Sequence, residues 1–298
     1  MSQGARLTDV GFGPFDAWPP AQVHVEWGEV ATREAARRHH FVAVVDVLSF
    51  STTVSMALDR GAEILALSRA DIEGMGGRAK VAARFGAEVA AKERDSMTAK
   101  FTLSPASLTR VGAGDRLILT SLNGALAVSC ARGAAALVVA CLRNRWAVGE
   151  FLARALRTEP GAGVTIVACG EQWSSVTDAE GIRPSLEDWV GAGALAARLA
   201  ESGASLSPEA KAAAASFDGA ARDGLGDWLR ACVGAGNSSP RGSPRTSTSP
   251  PSSTSARSFP STTPAMASSA PLRRPQRPNL DRRRGPTRPW RVNSSRNS

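Results

Sequence analysis

Residues 41–48 read FVAVVDVL, an apolar run broken only by Asp46. A strand that is apolar at successive positions has no face for water, so it belongs in a sheet covered on both sides. Two further runs have the same character, AALVVACL (135–142) and GVTIVACG (163–170). Shorter strand-like segments stand at 23–28, 62–67, 87–93 and 115–120. Helical text alternates with them at 51–61, at a stretch ending near 80–86, and at 123–132 and 145–157. It continues at 184–200, 207–221 and 224–233. Such alternation predicts an α/β fold, a mostly parallel sheet with helices on both faces. Ligands of these sheets sit beyond the carboxyl ends of the strands. That rule places Asp46, Thr120, Asn123, Asn144 and Glu171 along one edge.

The alternation stops at residue 236. From Asn237 to Ser298 the chain holds 15 Ser, 11 Pro, 6 Thr and 12 Arg, with no Lys, one Asp and no Glu, a net charge of +11. The first 236 residues carry 24 basic against 26 acidic groups, a net of −2. The overall +9 therefore describes neither part. The sequence predicts a folded domain over 1–236 and a disordered Ser/Pro/Arg-rich tail over 237–298, since the tail cannot bury enough surface to offset chain entropy. Two origins are open for it: a native tail, or a shifted reading frame in GC-rich coding sequence.

Composition also narrows the class. No run of about 18 apolar residues occurs, so no membrane span is expected. The first 20 residues lack a basic stretch followed by an apolar one, so no secretory leader is expected. Cys130, Cys141, Cys169 and Cys232 form no CxxC pair, which fits reduced thiols in a cytoplasm.

Four constellations could carry chemistry. Asp46 ends a buried strand and Ser49, Ser51, Thr52 and Thr53 open a helix behind it. Free amides and the dipole at such an end attract anions, and a carboxylate beside them can hold a hard divalent cation. The plainer alternative is that Ser51 caps the helix while Asp46 serves loop amides. Ser121-Leu122-Asn123-Gly124 suits a tight turn or a close backbone approach to a ligand. Glu93-Arg94, with Ser104-Pro105 downstream, offers a forked guanidinium for phosphate or sulfonate, or simply a surface charge. Glu187-Asp188 opens a helix behind Ser185 in a Ser-x-x-Asp capping pattern. The two acids either complement the helix dipole or complete a magnesium site, which needs few protein carboxylates. There is no Walker A sequence and no G-x-S-x-G elbow. Gly191-Ala192-Gly193 lies inside helical text and is not a dinucleotide fingerprint. His39-His40 lacks metal-ligand spacing.

In this order the motifs resemble the 2-phosphosulfolactate phosphatase family, or ComB-like proteins. The matching text is VAVVDVLSFSTTVSMALDRGA (42–62), KERDSMTAKFTLSPASL (92–108), LILTSLNGALA (117–127), VVACLRNRWAV (138–148), and VACGEQW with RPSLEDWVGAGALAARL (167–199). The resemblance covers roughly residues 20–235. It implies an α/β fold and Mg²⁺-dependent hydrolysis of 2-phospho-3-sulfolactate to sulfolactate and phosphate, a step that belongs to coenzyme M synthesis in methanogens. It assigns catalytic roles to Asp46, Arg94 and Asn123. Substrate binding falls to Ser51, Thr52, Thr53, Ser104, Gly124 and Asn144, and metal binding to Asp46, Glu187 and Asp188. Asp46 as a nucleophile ranks below Asp46 as a metal holder. The chain departs from the family where Ser49 replaces a common Arg, where Leu122 and Ala125 replace Thr, and at its C-terminus. Those departures keep three alternatives: another phosphate monoester as substrate, an inactive relative with a disrupted terminus, and a nucleic-acid binder acting through the Arg-rich tail. The last ranks lowest, because a basic tail gives affinity without sequence readout and the body is acidic. The expected partner is a small-molecule phosphate monoester, with no membrane; a homo-oligomer stays open.

Overall fold

The computed structural model describes residues 21–91, 101–175, 177–232, 234, 265–268 and 291–294. The chain runs β1 (Val23–Trp27), α1 (Gly28–Arg37), β2 (Phe41–Val45), α2 (Phe50–Asp59) and β3 (Glu63–Ala66). Then come α3 (Arg69–Gly74), α4 (Arg78–Phe85), β4 (Glu88–Val89), a 3₁₀ turn (Pro105–Arg110), β5 (Arg116–Leu119) and α5 (Gly124–Cys130). β6 (Ala136–Ala140), α6 (Arg145–Thr158) and β7 (Val164–Ala168) precede a small hairpin, β8 (Glu171–Gln172) and β9 (Ile182–Arg183). The helices α7 (Leu186–Glu201), α8 (Pro208–Arg222) and α9 (Leu225–Ala231) follow, then β10 (Ala265–Ser268) and β11 (Arg291–Ser294).

The main sheet has the order β1-β7-β2-β6-β10-β11-β3-β5-β4. The pairs β1–β7, β7–β2, β2–β6, β3–β5 and β5–β4 are all parallel, as the apolar runs require. The strands of residues 1–236 thus form two parallel blocks. Between them sits the antiparallel pair β10–β11, bonded to β6 on one side and β3 on the other. These eight residues are the only part of 237–298 that the structure describes.

Strand periodicity sorts the core. Val42 and Val44 face one apolar cluster, together with Phe50 and Val54 of α2, Leu117 and Leu119 of β5, and Ala125 and Val128 of α5. Ala43 and Val45 face the other side, against Val148 and Leu152 of α6, Leu195 and Leu199 of α7 and Ala213 of α8. A third cluster joins Leu65 and Ile118 to Ile72 of α3 and Val81 of α4. Fully burying a side chain such as Leu119, Ile166 or Leu195 contributes about 1.5–3 kcal/mol.

The sequence did not foreshadow α1, α3 or the β8–β9 hairpin, and the strand expected at 87–93 shrinks to Glu88–Val89. The start of α1 lacks a signal because Trp27, its N-cap residue, makes no side-chain cap, and Gly28 enters the helix at φ +68°. Among the described residues no helix is long and apolar enough to cross a membrane, and the four cysteines are free thiols.

Candidate functional site at the carboxyl edge

Asp46 follows the last residue of β2 and is 7% exposed. Its Oδ2 accepts hydrogen bonds from Ser121 Oγ at 3.2 Å and from the Gly124 amide at 3.1 Å. The Phe50 amide, at the start of α2, donates to the same carboxylate. One side chain therefore ties the end of β2 to the loop behind β5. Gly124 is required there, since a Cβ would lie 2.7 Å from Asp46 Oδ2 and run into the Phe50 ring. Burial pushes the Asp46 carboxyl up to about 6; the three hydrogen bonds oppose that rise and the charge of Glu171 adds to it.

Asp188, in the first turn of α7, is 4% exposed. Its Oδ1 accepts from the Val47 amide at 2.8 Å and its Oδ2 from the Gly170 amide at 3.0 Å. It thus bolts α7 to the ends of β2 and β7. The capping box expected from Ser185-x-x-Asp188 does not form, because Ser185 makes no side-chain cap and the Asp188 carboxylate serves these distant amides instead. Burial, then the charge of Asp46, holds the Asp188 carboxyl well above the usual range. Two buried acids whose charges repel favour the protonated form or a neutralising cation. Glu187 is equally buried, and Gly234 lies so close that a Cβ there would run into its carboxylate. Among the described residues no three His, Cys, Asp or Glu side chains are gathered tightly enough to hold one ion by themselves.

The expected substrate-binding side chains have structural partners. Ser51 Oγ accepts from the Asp46 amide at 2.9 Å and donates to Val44 O. Thr52 Oγ1 donates to Val47 O and Thr53 Oγ1 to Leu103 O, each at 2.8 Å. Asn144 braces the turn after β6: its Oδ1 accepts from the Cys141 amide and its Nδ2 donates to Val139 O. Ser104 is the exception: it stands at the N-cap position of the 3₁₀ turn at Pro105, next to the Leu103 carbonyl that Thr53 holds, but its side chain makes no cap. Glu93 and Arg94 lie outside the described residues.

Among the described residues, three buried side-chain oxygens on this edge have no hydrogen-bond partner: Ser49 Oγ, Asn123 Oδ1 and Ser185 Oγ. They belong to the N-cap residues of α2, α5 and α7. Ser49 adjoins Phe50 and Asn123 adjoins Gly124, whose amides Asp46 holds; Ser185 O accepts the Asp188 amide at 3.1 Å. Elsewhere the chain does cap with serine, Ser68 on α3 and Ser207 on α8. An unpartnered buried oxygen costs about 1–3 kcal/mol unless something else occupies it. Sequence reasoning named Ser49 and Asn123 but missed Ser185 as a free donor set, since its spacing reads as an ordinary cap. Leu122 after β5, Trp173 after β8 and Leu186 at the first position of α7 are exposed.

A family model described as 2-phosphosulpholactate phosphatase matches residues 29–233. Two similar proteins are both named "Probable 2-phosphosulfolactate phosphatase". The one from Parasynechococcus marenigrum is 36% identical over 162 residues, 53% of this chain and 61% of its own length. The one from Synechocystis sp. is 34% identical over 169 residues, 54% of this chain and 62% of its own length. The chain thus spans less than two thirds of either relative.

Proposed function

The chain belongs to the 2-phosphosulpholactate phosphatase family, and from that premise we propose that it is a Mg²⁺-dependent phosphatase that releases phosphate from 2-phospho-3-sulfolactate. The observation that supports this most is the carboxyl edge itself. Two buried, mutually repelling carboxylates, Asp46 and Asp188, stand there beside three buried oxygens without partners. An all-oxygen donor set suits a hard cation, and Mg²⁺ takes one or two carboxylates with the remainder from water and substrate. Asp46, with Ser49 and Asn123 beside it, would hold the ion. Asp188, with both oxygens on backbone amides, would contribute charge and position more than a free lone pair. Bound there, Mg²⁺ would neutralise charge on the phosphoryl oxygens.

The chain's own groups do the rest. Ser121, Gly124 and Phe50 fix the Asp46 carboxylate so that it points the same way before and after substrate arrives, and preorganisation of this kind lowers the barrier. The four free cysteines, scattered and without a CxxC pair, support a reducing, cytoplasmic setting. The Asp46→Asn chain tests the assignment. It keeps an acceptor for Ser121 and Gly124, so its melting temperature should match or exceed that of the parent. Its Mg²⁺-dependent turnover should fall by about 100-fold or more. Turnover near the parent rate would remove Asp46 from the reaction.

A further inference from the structure

We infer that Arg183 is an oxyanion-binding arm of this edge, holding an acidic group of the substrate. The inference deepens the phosphatase reading and takes the same edge as its site. Arg183 ends β9, paired in register with Glu171 across the hairpin. Its carbonyl would stand 2.9 Å from a Cβ placed on Gly170, the residue whose amide Asp188 holds, so the arginine's backbone lies directly on the end of β7. Glu171 in turn is near enough to act electrostatically on Asp46. The guanidinium reaches within 3.9 Å of the Glu171 carboxylate, and through that carboxylate's effect on Asp46 it is tied to the same edge.

What singles out Arg183 is its unmatched donor. Its side chain is 21% exposed, its Nη2 is buried with no hydrogen-bond acceptor, and the nearest carboxylate oxygen, on Glu171, is 3.9 Å away. Arg132 and Arg198 also bury an unpartnered Nε, but each places another nitrogen on a carboxylate, at 3.4 Å on Asp71 and 3.3 Å on Glu150. Arg143, another cation at this edge, places its Nη1 on both Ser55 Oγ and Asp59 Oδ2. A permanently charged fork with an unmatched buried N–H is complementary to a carboxylate, sulfonate or phosphate, which accepts two parallel bonds from it. Glu171 at long range keeps the guanidinium in place without saturating it.

The test uses the full chain and three forms, parent, Arg183→Gln and Arg183→Lys, with melting temperatures showing that each is folded. Calorimetric titration with inorganic phosphate and with sulfate reads the arm independently of turnover. Affinity should drop about 10- to 100-fold in Arg183→Gln and recover in part in Arg183→Lys, which restores the charge but not the fork. Steady-state kinetics on 2-phosphosulfolactate and on 2-phospholactate, which lacks the sulfonate, then locate the bound group. A rise in KM confined to the sulfonated substrate puts Arg183 on the sulfonate, whereas an equal rise for both puts it on a group they share, the phosphate or the carboxylate. Anion affinity and KM unchanged in folded Arg183→Gln would overturn the inference even if the parent is a good phosphatase. Failure of the parent to bind either anion would overturn it too. Arg183-dependent anion binding by a parent that hydrolyses neither substrate would sustain the inference and defeat the phosphatase reading.

Discussion

Asp188 shows how one side chain's role depends on residues far away in sequence. Its place three after Ser185 is the same for a capping box and for a tertiary bolt. The two readings differ only in whether donors stand within reach, and those donors are the amides of Val47, 141 positions away, and Gly170, 18 away. Asp46 stood out as an acid ending a buried strand, and the bonds it accepts from the Gly124 and Phe50 amides match the plainer expectation that it serves loop amides. Ser51, Thr52 and Thr53 were legible as hydroxyls near a helix start, but their engagement with the carbonyls of Val44 in β2, Val47 in the turn after it and Leu103 was not. The bolt has a measurable cost. Asp188→Ala leaves two buried amides without acceptors, at about 1–3 kcal/mol each, against some relief of the repulsion on Asp46. Urea unfolding of this variant should show a net loss of about 2–4 kcal/mol; an unchanged midpoint would mean that neither amide depends on Asp188.

Elements with strong local signals came through the sequence well. β2, β6 and β7 sit inside their apolar runs, and α8 begins where Ser207-Pro208 says it should, with Ser207 Oγ accepting from the Ala210 amide at 3.2 Å. The hairpin β8–β9 was hidden because its strands are two residues each, too short to show alternation. The small residues inside α7 were legible as helical text and not as a ligand loop, but what they are for shows only in the neighbouring helix. A Cβ on Gly193 would overlap the Ala213 carbonyl of α8, so the glycine sets the distance between the two helices. Gly193→Ala gains helix propensity yet should lose about 1–3 kcal/mol in chemical denaturation, because overpacking dominates. A gain in stability would show that α7 and α8 can separate at no cost.

Across the whole molecule the sheet is assembled from two parallel blocks, and the compositional break at residue 237 gave no hint that short stretches beyond it would pair with β6 and β3. Pairing in an antiparallel ribbon of four-residue strands leaves almost no periodic trace. The opposite edge carries a pH dependence of its own. His40, stacked on His24 at 5.8 Å, is pushed down from 6.5 to about 4, by burial first and then by the charges of His24 and Arg38. A base whose folded value is depressed binds its proton in the unfolded chain first, so stability is lost as pH falls from about 6.5 towards 4. Comparing the parent with His40→Gln removes the opposing contributions of Asp46 and Asp188. The stability of the parent relative to the variant should decline steadily between pH 7 and 4.5, and a flat difference would mean that His40 titrates alike in both states.

The central claim is a metal-assisted phosphatase built on the carboxyl edge of this sheet. Phosphate release from 2-phosphosulfolactate by the full-length chain, measured with Mg²⁺ and again with EDTA, tests it most directly. The account expects steady release with Mg²⁺ and loss of it on chelation; folded chain that releases no phosphate, or releases it equally with EDTA, would contradict it.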